Sequence, residues 1–438
     1  KIPQFALPVA ATAILEQLFN ASDIAVVGNF SGAASTIAVA AVGANSFVIS
    51  LVVNFFIGIA LGANVVIANA IGREDTDAVH RAVHTAVVVA VLGGALVTVL
   101  GELVAGPALR ALNVPAEVLP YALLYLRIYL LGVPVILLYN FEAAIFRSVG
   151  DTRVPLQTLA FSGVLNVLLN LFFVIVLHMT VNGVATATVL SNAISSVLLF
   201  VRLRRSDKAI HLEWTALRID RRSLQKILQI GVPAGIQSAV FSISNIVIQS
   251  AINSLGTVVM AASSAAFNIE VVAYDVLNSF SQACTTFVGQ NYGAGKLDRC
   301  RKTLVLCLVE DALASGIAIL LVLGSGHFLL SIFNRDPEVI ALGYTRLMTV
   351  FTAYFFSMLY EVMSGYLRGF GISLVPALLT MLGVCGVRIL WIATAFPRSR
   401  TFQTILLVYP LSLAATAVLI LLALLIYHPS RRTKGETV

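Results

Sequence analysis

The residues best suited to chemistry in this chain are carboxylates set in apolar surroundings. The segment LEQLFNASDIAVVG (15–28) carries Glu16, Asn20 and Asp23 inside an apolar run from Phe5 to Phe30. Their i, i+4, i+7 spacing puts all three on one stripe of a helix. Further acids in apolar runs are Glu142, Glu270, Asp275, Glu310, Asp311 and Glu361, and the bases so placed are Arg127, Arg346 and Arg388. An ionised side chain at the centre of a bilayer costs at least about 2.5–3.5 kcal/mol on insertion scales, so each of these acids needs a reason. A desolvated carboxylic acid favours its neutral form, which suits it to taking up and releasing a proton. Together with amide and hydroxyl oxygens a carboxylate can also hold a hard cation such as Na+. The competing reading for Glu16 and Asp23 is a hydrogen bond between helices. For Glu270, Asp275 and Glu361, contact with a cationic cargo competes with capping or pairing inside a bundle, and Arg388 with Glu361 is a candidate pair. Glu310 and Asp311 are adjacent, point to different faces of a helix, and read as structural.

These acids matter only if the runs around them lie in a membrane, and composition says that they do. Of the 438 residues 59% are hydrophobic and 11% charged, and the mean hydropathy is +0.94. A soluble domain has about 25% charged residues. The net charge of +7 raises nucleic acid as a partner, but no soluble basic domain exists to bind it, so the bases are expected in loops and no nucleic-acid partner is expected. A membrane-spanning helix needs about 20 mostly apolar residues. Twelve segments qualify, at roughly 5–30, 37–71, 82–108, 117–146, 154–178, 182–203, 223–252, 258–291, 303–333, 338–367, 373–396 and 402–427. With both termini inside, the inner segments hold 21 of the 28 Lys and Arg and the outer ones four, Arg110, Arg335, Arg398 and Arg400. That asymmetry predicts a multi-pass protein of the cell membrane with cytoplasmic termini.

The polar stretch 206–222 divides the chain. The predicted organisation is a first lobe at 1–205, a cytoplasmic linker at 206–222, a second lobe at 223–428 and a tail at 429–438. The halves resemble each other. YLRIYLLGVPVILLYNFEAAIFRSVGDTRVP (125–155) parallels YTRLMTVFTAYFFSMLYEVMSGYLRGFGISLVP (344–376), aligning Arg127 with Arg346, Glu142 with Glu361 and Pro155 with Pro376. ANAIGREDTDAVHRA (68–82) parallels GQNYGAGKLDRCRKT (289–303), and Leu7-Pro8 parallels Val232-Pro233. Six spans per half is an even number, so both halves enter from the same side, giving two six-helix lobes related by a pseudo-two-fold along the membrane normal. Repeats of this kind suit transporters that rock two bundles about a central site. A duplication kept only for packing is the alternative. The repeat is unequal at one point: Ile248 stands opposite Asp23, and the second half offers the uncharged stripe Ser238, Ser242, Asn245 and Gln249.

Several motifs are missing. GAGKLD (293–298) lacks both the spacing and the hydroxyl of a P-loop. No HExxH and no Gly-x-Ser-x-Gly occurs, so an enzyme has no candidate centre. Cys284, Cys300, Cys307 and Cys385 show no ligand-like spacing. No cofactor is expected, and an ion gradient is the available source of energy. The chain begins at Lys1 rather than Met, so a trimmed start is expected.

At this point the residues resemble the multidrug and toxic compound extrusion (MATE) transporters, over essentially the whole chain. The resemblance rests on LEQLFNASDIAVVGNFSG (15–32), AVAAVGANS (38–46), RSVGDTRVPL (147–156), LNVLLNLFFV (165–174), FVGQNYGAG (287–295), LRGFGISLVP (367–376) and CGVRILWI (385–392). It looks closest to the prokaryotic branch called DinF-like. The resemblance implies an all-α integral membrane fold that opens outward as a V, and export of organic, often cationic compounds by antiport against H+ or Na+. It also implies an ion site in the first lobe, with Asp23 on the first helix, Asn166 and Asn170 on the fifth and Thr188 on the sixth. Asn170 stands where the family usually has a second aspartate, which removes one negative charge and weakens a tight Na+ site at Asp23. Glu142 stands where many relatives have a small residue. The expected ion-coupling residues are therefore Asp23, Asn20, Asn166, Asn170 and Thr188, and the expected cargo contacts are Glu142, Gln249, Glu270, Asp275 and Glu361. Small organic cations and membrane lipid are the expected partners of a monomer. The rival readings are a flippase for lipid-linked precursors in the same superfamily, which would want a basic cavity, and a receptor or scaffold that transports nothing.

Overall fold

The computed structural model describes residues 1–112, 114–427 and 429, with Phe47 described by its backbone only. Apart from Pro429, the predicted tail with Arg431, Arg432 and Lys434 lies outside the described residues. Among the described residues twelve helices are long and apolar enough to cross a membrane, as the sequence predicts. They are α1 (Ile2–Phe30), α2 (Ser35–Gly72), α3 (Thr76–Ala111), α4 (Leu119–Ser148), α5 (Arg153–Leu171), α6 (Val181–Arg204), α7 (Arg221–Asn253), α8 (Thr257–Gly293), α9 (Leu297–Phe333) and α10 (Pro337–Gly369), followed by two broken spans. The eleventh span comprises α11 (Leu374–Thr380), a π-helical stretch (Met381–Gly386) and α12 (Val387–Thr394), and the twelfth comprises α13 (Phe402–Leu406) and α14 (Val408–Tyr427). Another π-helical stretch, Phe172–Val176, extends α5. The fold is all-α and membrane-spanning.

Local chemistry explains where helices begin and turn. The Asp75 carboxylate caps α3 by accepting the Ala78 N–H (2.9 Å), and Asp336 caps α10 by accepting that of Glu338 (2.9 Å), with Pro337 in the first turn. The duplication is written into the backbone as well. Left-handed φ recurs at Glu74 (59°) and Gly295 (71°), and again at Gly150 (86°) and Gly371 (85°). Each pair occupies matching places in the aligned segments, where the chain must turn sharply between two spans.

Contacts divide the chain into two units, Ala11–Gly231 and Lys1–Ala10 with Val232 onward. In the first unit α4 packs on α2, α3 and α6, and in the second α10 packs on α8, α9 and α14. The same internal plan thus serves both halves of the sequence. The borders fall inside helices rather than in the linker. Phe5 at the start of α1 packs on Phe287 (ring centroids 5.5 Å apart), which ties that end of the helix to the second unit. The linker and Arg221–Gly231 go with the first unit. There Gly231 approaches α2 so closely that a Cβ would lie 2.5 Å from the Ile59 Cα. Large apolar side chains at Leu92, Leu96, Val99 and Leu103 are exposed along one stripe of α3, as expected of a face turned to lipid.

Candidate functional site

Asp23 lies three-quarters of the way along α1 and is 6% exposed. Its carboxylate meets donors from two helices distant in sequence. The Asn170 Nδ2 amide of α5 donates to Oδ1 at 2.5 Å, and the Thr188 hydroxyl of α6 lies 3.1 Å from Oδ2. The same Thr188 oxygen is 3.0 Å from the Val184 carbonyl. Asn170 Nδ2 is also 3.2 Å from the Asn166 Oδ1, and Asn166 Nδ2 donates to the Ser191 hydroxyl at 3.3 Å. Asn170 is fully buried, and its own Oδ1 has no hydrogen-bond partner. No Lys or Arg forms an ion pair with Asp23 among the described residues. The π-helical stretch begins two residues after Asn170. A π bulge shifts the helical register, and such bulges cluster at functional sites.

The cluster borders a cavity of about 500 Å³ within the first unit. Asp23, Asn166 and Thr188 line it, and so do Glu16, Asn20 and the α4 tyrosines Tyr125, Tyr129 and Tyr139. Two carboxylates and no Lys or Arg face this space. Asn20 is exposed to it and makes no hydrogen bond to Asp23 among the described residues. On the α6 side the wall is the stripe Thr188, Ser191, Asn192 and Ser195. Ser195 bonds the Ser162 hydroxyl of α5. That wall was legible as a polar stripe at i, i+3, i+4 and i+7 in α6, and the sequence reading took from it only Thr188. Glu16, placed there among possible interhelical hydrogen bonds, faces the cavity.

The acids expected to touch cargo have other surroundings. Glu142 is fully buried on α4, accepts the Ser196 hydroxyl at 3.0 Å, and does not line the cavity. Glu270 forms a two-bond ion pair with Arg346, Nε to Oε1 at 2.7 Å and Nη2 to Oε2 at 2.9 Å, with both residues at least 95% buried. Ser263 and Tyr409 complete the Arg346 shell. That fork neutralises Glu270 within its own unit, which is the pairing that competed with a cargo contact in the sequence analysis. Glu361 accepts the Tyr274 hydroxyl at 3.0 Å. Its expected pairing with Arg388 is not formed. Arg388 instead donates to Ser412 (3.2 Å) and Asn245 (3.3 Å) and lies over the Phe241 and Tyr409 rings. Gln249 is exposed on α7 and donates to Asn253 (2.7 Å), and Asp275 is half-buried on α8.

Among the described residues no cluster of His, Cys, Asp and Glu could hold a metal. Asp23, Asn166, Asn170, Thr188 and Ser191 bring side-chain oxygens together at this place. The MatE family profile matches residues 8–172 and 233–393, one block in each half of the chain. The chain belongs to the MatE family. MatE proteins are transporters rather than enzymes. The probable multidrug resistance protein YoeA of Bacillus subtilis is 26% identical over 394 residues, covering 88% of this chain and 84% of the relative. The probable multidrug resistance protein NorM of Thermotoga maritima is 27% identical over 411 residues, covering 91% and 85%. Among solved structures, a multidrug resistance MATE family transporter of the MOP superfamily in an outward-facing conformation superposes with a TM-score of 0.90 at 19% identity, over 99% of this chain and 96% of that one. At that identity the likeness establishes the fold, which is the MATE architecture.

Proposed function

We propose that this MatE protein is a secondary active multidrug exporter that exchanges organic cations for protons at Asp23. The observation that carries the coupling is the Thr188 hydroxyl, which lies within hydrogen-bond distance of both Asp23 Oδ2 and the Val184 carbonyl. The hydroxyl has one hydrogen, which bonds fully to one acceptor at a time. When Asp23 is ionised the hydroxyl donates to the carboxylate. When Asp23 is protonated, its O–H donates to Thr188 Oγ, and the Thr188 hydrogen turns to Val184. The Asp23–Thr188 bond is then kept in both charge states, its direction reversed by rotation of the Thr188 hydrogen towards Val184. Asn170 and Asn166 keep the carboxylate in place and bring no charge of their own.

The cargo reading follows from charge and shape. A cavity with two carboxylates, three tyrosines and no basic lining suits an organic cation, which is attracted by the acids and can lie over aromatic faces. A proton arriving at Asp23 removes the charge that holds the cargo. The ion drives transport only if it binds two conformations differently, and α1, which carries both Asp23 and Pro8, is the element proposed to repack. Pro8 lacks a backbone donor, which eases bending. Na+ is the second reading, favoured by the unpartnered Asn170 Oδ1 beside Asp23. The full assignment is a monomeric DinF-like member of a prokaryotic cytoplasmic membrane with both termini inside. Its lobes are 1–205 and 223–428, joined by the linker at 206–222. The acidic lining speaks against a flippase for lipid-linked diphosphates.

The test is efflux of a fluorescent organic cation from proteoliposomes with pH and Na+ gradients imposed separately. Wild type is expected to respond to the pH gradient, and Asp23→Asn to remain folded and lose the response. Gradient-driven efflux by Asp23→Asn at the wild-type rate would overturn the proposal, and a response to Na+ alone would select the second reading.

A further inference from the structure

A second cavity of the first unit opens on a different face. It measures about 400 Å³ and is lined by α3, α4, α6 and the linker. Val91, Leu138, Val197, Phe200 and Trp214 typify the walls. The polar side chain among them, Ser196, is 2% exposed and bonds Glu142, which lies behind the wall. Sites for compact organic ligands orient them with a few well-placed polar groups, and this crevice offers none. Its rim residues Val91, Val197 and Trp214 are 42%, 61% and 64% exposed, so the space communicates with the hydrocarbon around the protein.

One end of the crevice is basic. On α6 the wall residues Ala193, Val197 and Phe200 recur at i, i+4 and i+7, and the next residue on that stripe, at i+11, is Arg204. Arg218 directly follows the wall residue Leu217. Both arginines are exposed, and none of the ion pairs among the described residues involves them. The carboxylates closest in sequence are Asp207, three residues after Arg204, Glu213, next to Trp214, and Asp220, which bonds Ser223 and interacts with Arg81 and Arg222.

The linker is fixed over this end rather than hanging free. The Glu213 N–H donates to the His84 Nε2 (3.0 Å), the Leu212 N–H to the Leu203 carbonyl (3.3 Å), and the Asp220 N–H to the Thr85 hydroxyl (2.9 Å). These bonds hold the Trp214 ring edge-on to Phe200, with centroids 5.4 Å apart. An amphipathic aromatic in this position marks a membrane–water boundary. The apolar trough below and the free guanidinium groups above match the two parts of an anionic phospholipid.

We infer that this crevice is a binding site for an anionic phospholipid, with an acyl chain in the trough beside Trp214 and the headgroup phosphate on Arg204 and Arg218. The inference needs the membrane-spanning fold and is independent of the proposed ion coupling.

The chain has two tryptophans, so Trp391→Phe leaves Trp214 as the single fluorophore, and Trp214→Phe supplies the background. Each protein is reconstituted in phosphatidylcholine containing equal fractions of either brominated-chain phosphatidylglycerol or brominated-chain phosphatidylcholine. Trp214 is expected to be quenched preferentially by the brominated phosphatidylglycerol. Arg204→Gln with Arg218→Gln should lower that preference by a factor of about five or more while leaving quenching by phosphatidylcholine intact, which also reports a folded protein. Arg204→Lys with Arg218→Lys should keep it. Equal quenching by the two lipids, an absence of quenching, or a preference that survives the double Gln variant would each overturn the assignment. So would relief of the preferential quenching by a lipophilic organic cation, since cargo would then be the occupant. No transport is measured, so failure here leaves the antiport proposal standing, and loss of antiport leaves this one standing.

Discussion

Each unit buries an acid among helices, and the two acids live under different rules. Asp23 in the first unit is held by an amide and a hydroxyl. Glu270 in the second is held by the two-pronged guanidinium of Arg346. A neutral shell lets a carboxyl group gain or lose its charge without leaving an opposite charge stranded. A guanidinium stays charged throughout the physiological range, so protonating its partner would strand a buried cation. The first arrangement can switch, and the second fixes helices α8 and α10 together. Both are buried carboxylates in a duplicated sequence, and the charge of their partners, none at Asp23 and positive at Glu270, separates them.

The largest effect that could break this contrast is functional. Asp23→Asn should abolish gradient-driven efflux while changing stability by only about 1 kcal/mol, because an amide can still bond both neighbours. Flux assays beside thermal unfolding in detergent would check both halves, and a grossly unfolded Asp23→Asn would make Asp23 a structural acid like Glu270. Next in size is Glu270→Gln, expected to cost about 3–5 kcal/mol because Arg346 is left buried and unpaired. Replacing both residues by apolar ones of similar volume should restore much of the stability, and a double-mutant cycle in the same unfolding assay measures the coupling. Should Glu270→Gln unfold like wild type but export nothing, the second unit would hold a functional acid after all.

A smaller effect sharpens the Asp23 side. Thr188→Val removes a hydrogen bond to a charged group worth about 1.5–3 kcal/mol together with the hydroxyl that serves both charge states. Exchange should slow markedly, and Thr188→Ser should retain it. The smallest effect calibrates both buried acids against one near water. Asp220 caps α7, with the Ser223 N–H and hydroxyl both at 2.8 Å. These bonds favour the ionised form and hold its pKa below the ordinary carboxylate value. Its stabilisation is fully present above the unfolded value of about 3.9 and is lost as pH falls through the lower folded value. Asp220→Ala should cost about 1 kcal/mol at neutral pH and nothing in strong acid, as unfolding at the two pH values would show, with transport unchanged.

The sequence by itself determined the features that depend on local periodicity and composition. The twelve spans follow from runs of apolar residues that must satisfy their backbone groups internally in lipid. The duplication follows from matched segments, and the structure repeats it in the left-handed turns at Gly150 and Gly371. The i, i+4, i+7 spacing marked Asp23 as an acid needing company. The family resemblance names Asn166, Asn170 and Thr188 as that company, and the tertiary structure decides which of them reach the carboxylate, Asn170 and Thr188. Asp23 and Asn170 are 147 residues apart in the chain, and Glu270 and Arg346 are 76 apart. Whether two such side chains meet depends on how each helix is rotated about its axis and how closely its neighbours approach, which packing of the whole unit fixes and no single helix encodes. For that reason Glu270 and Glu361 looked alike in sequence, yet one became half of an ion pair and the other the acceptor of a tyrosine hydroxyl.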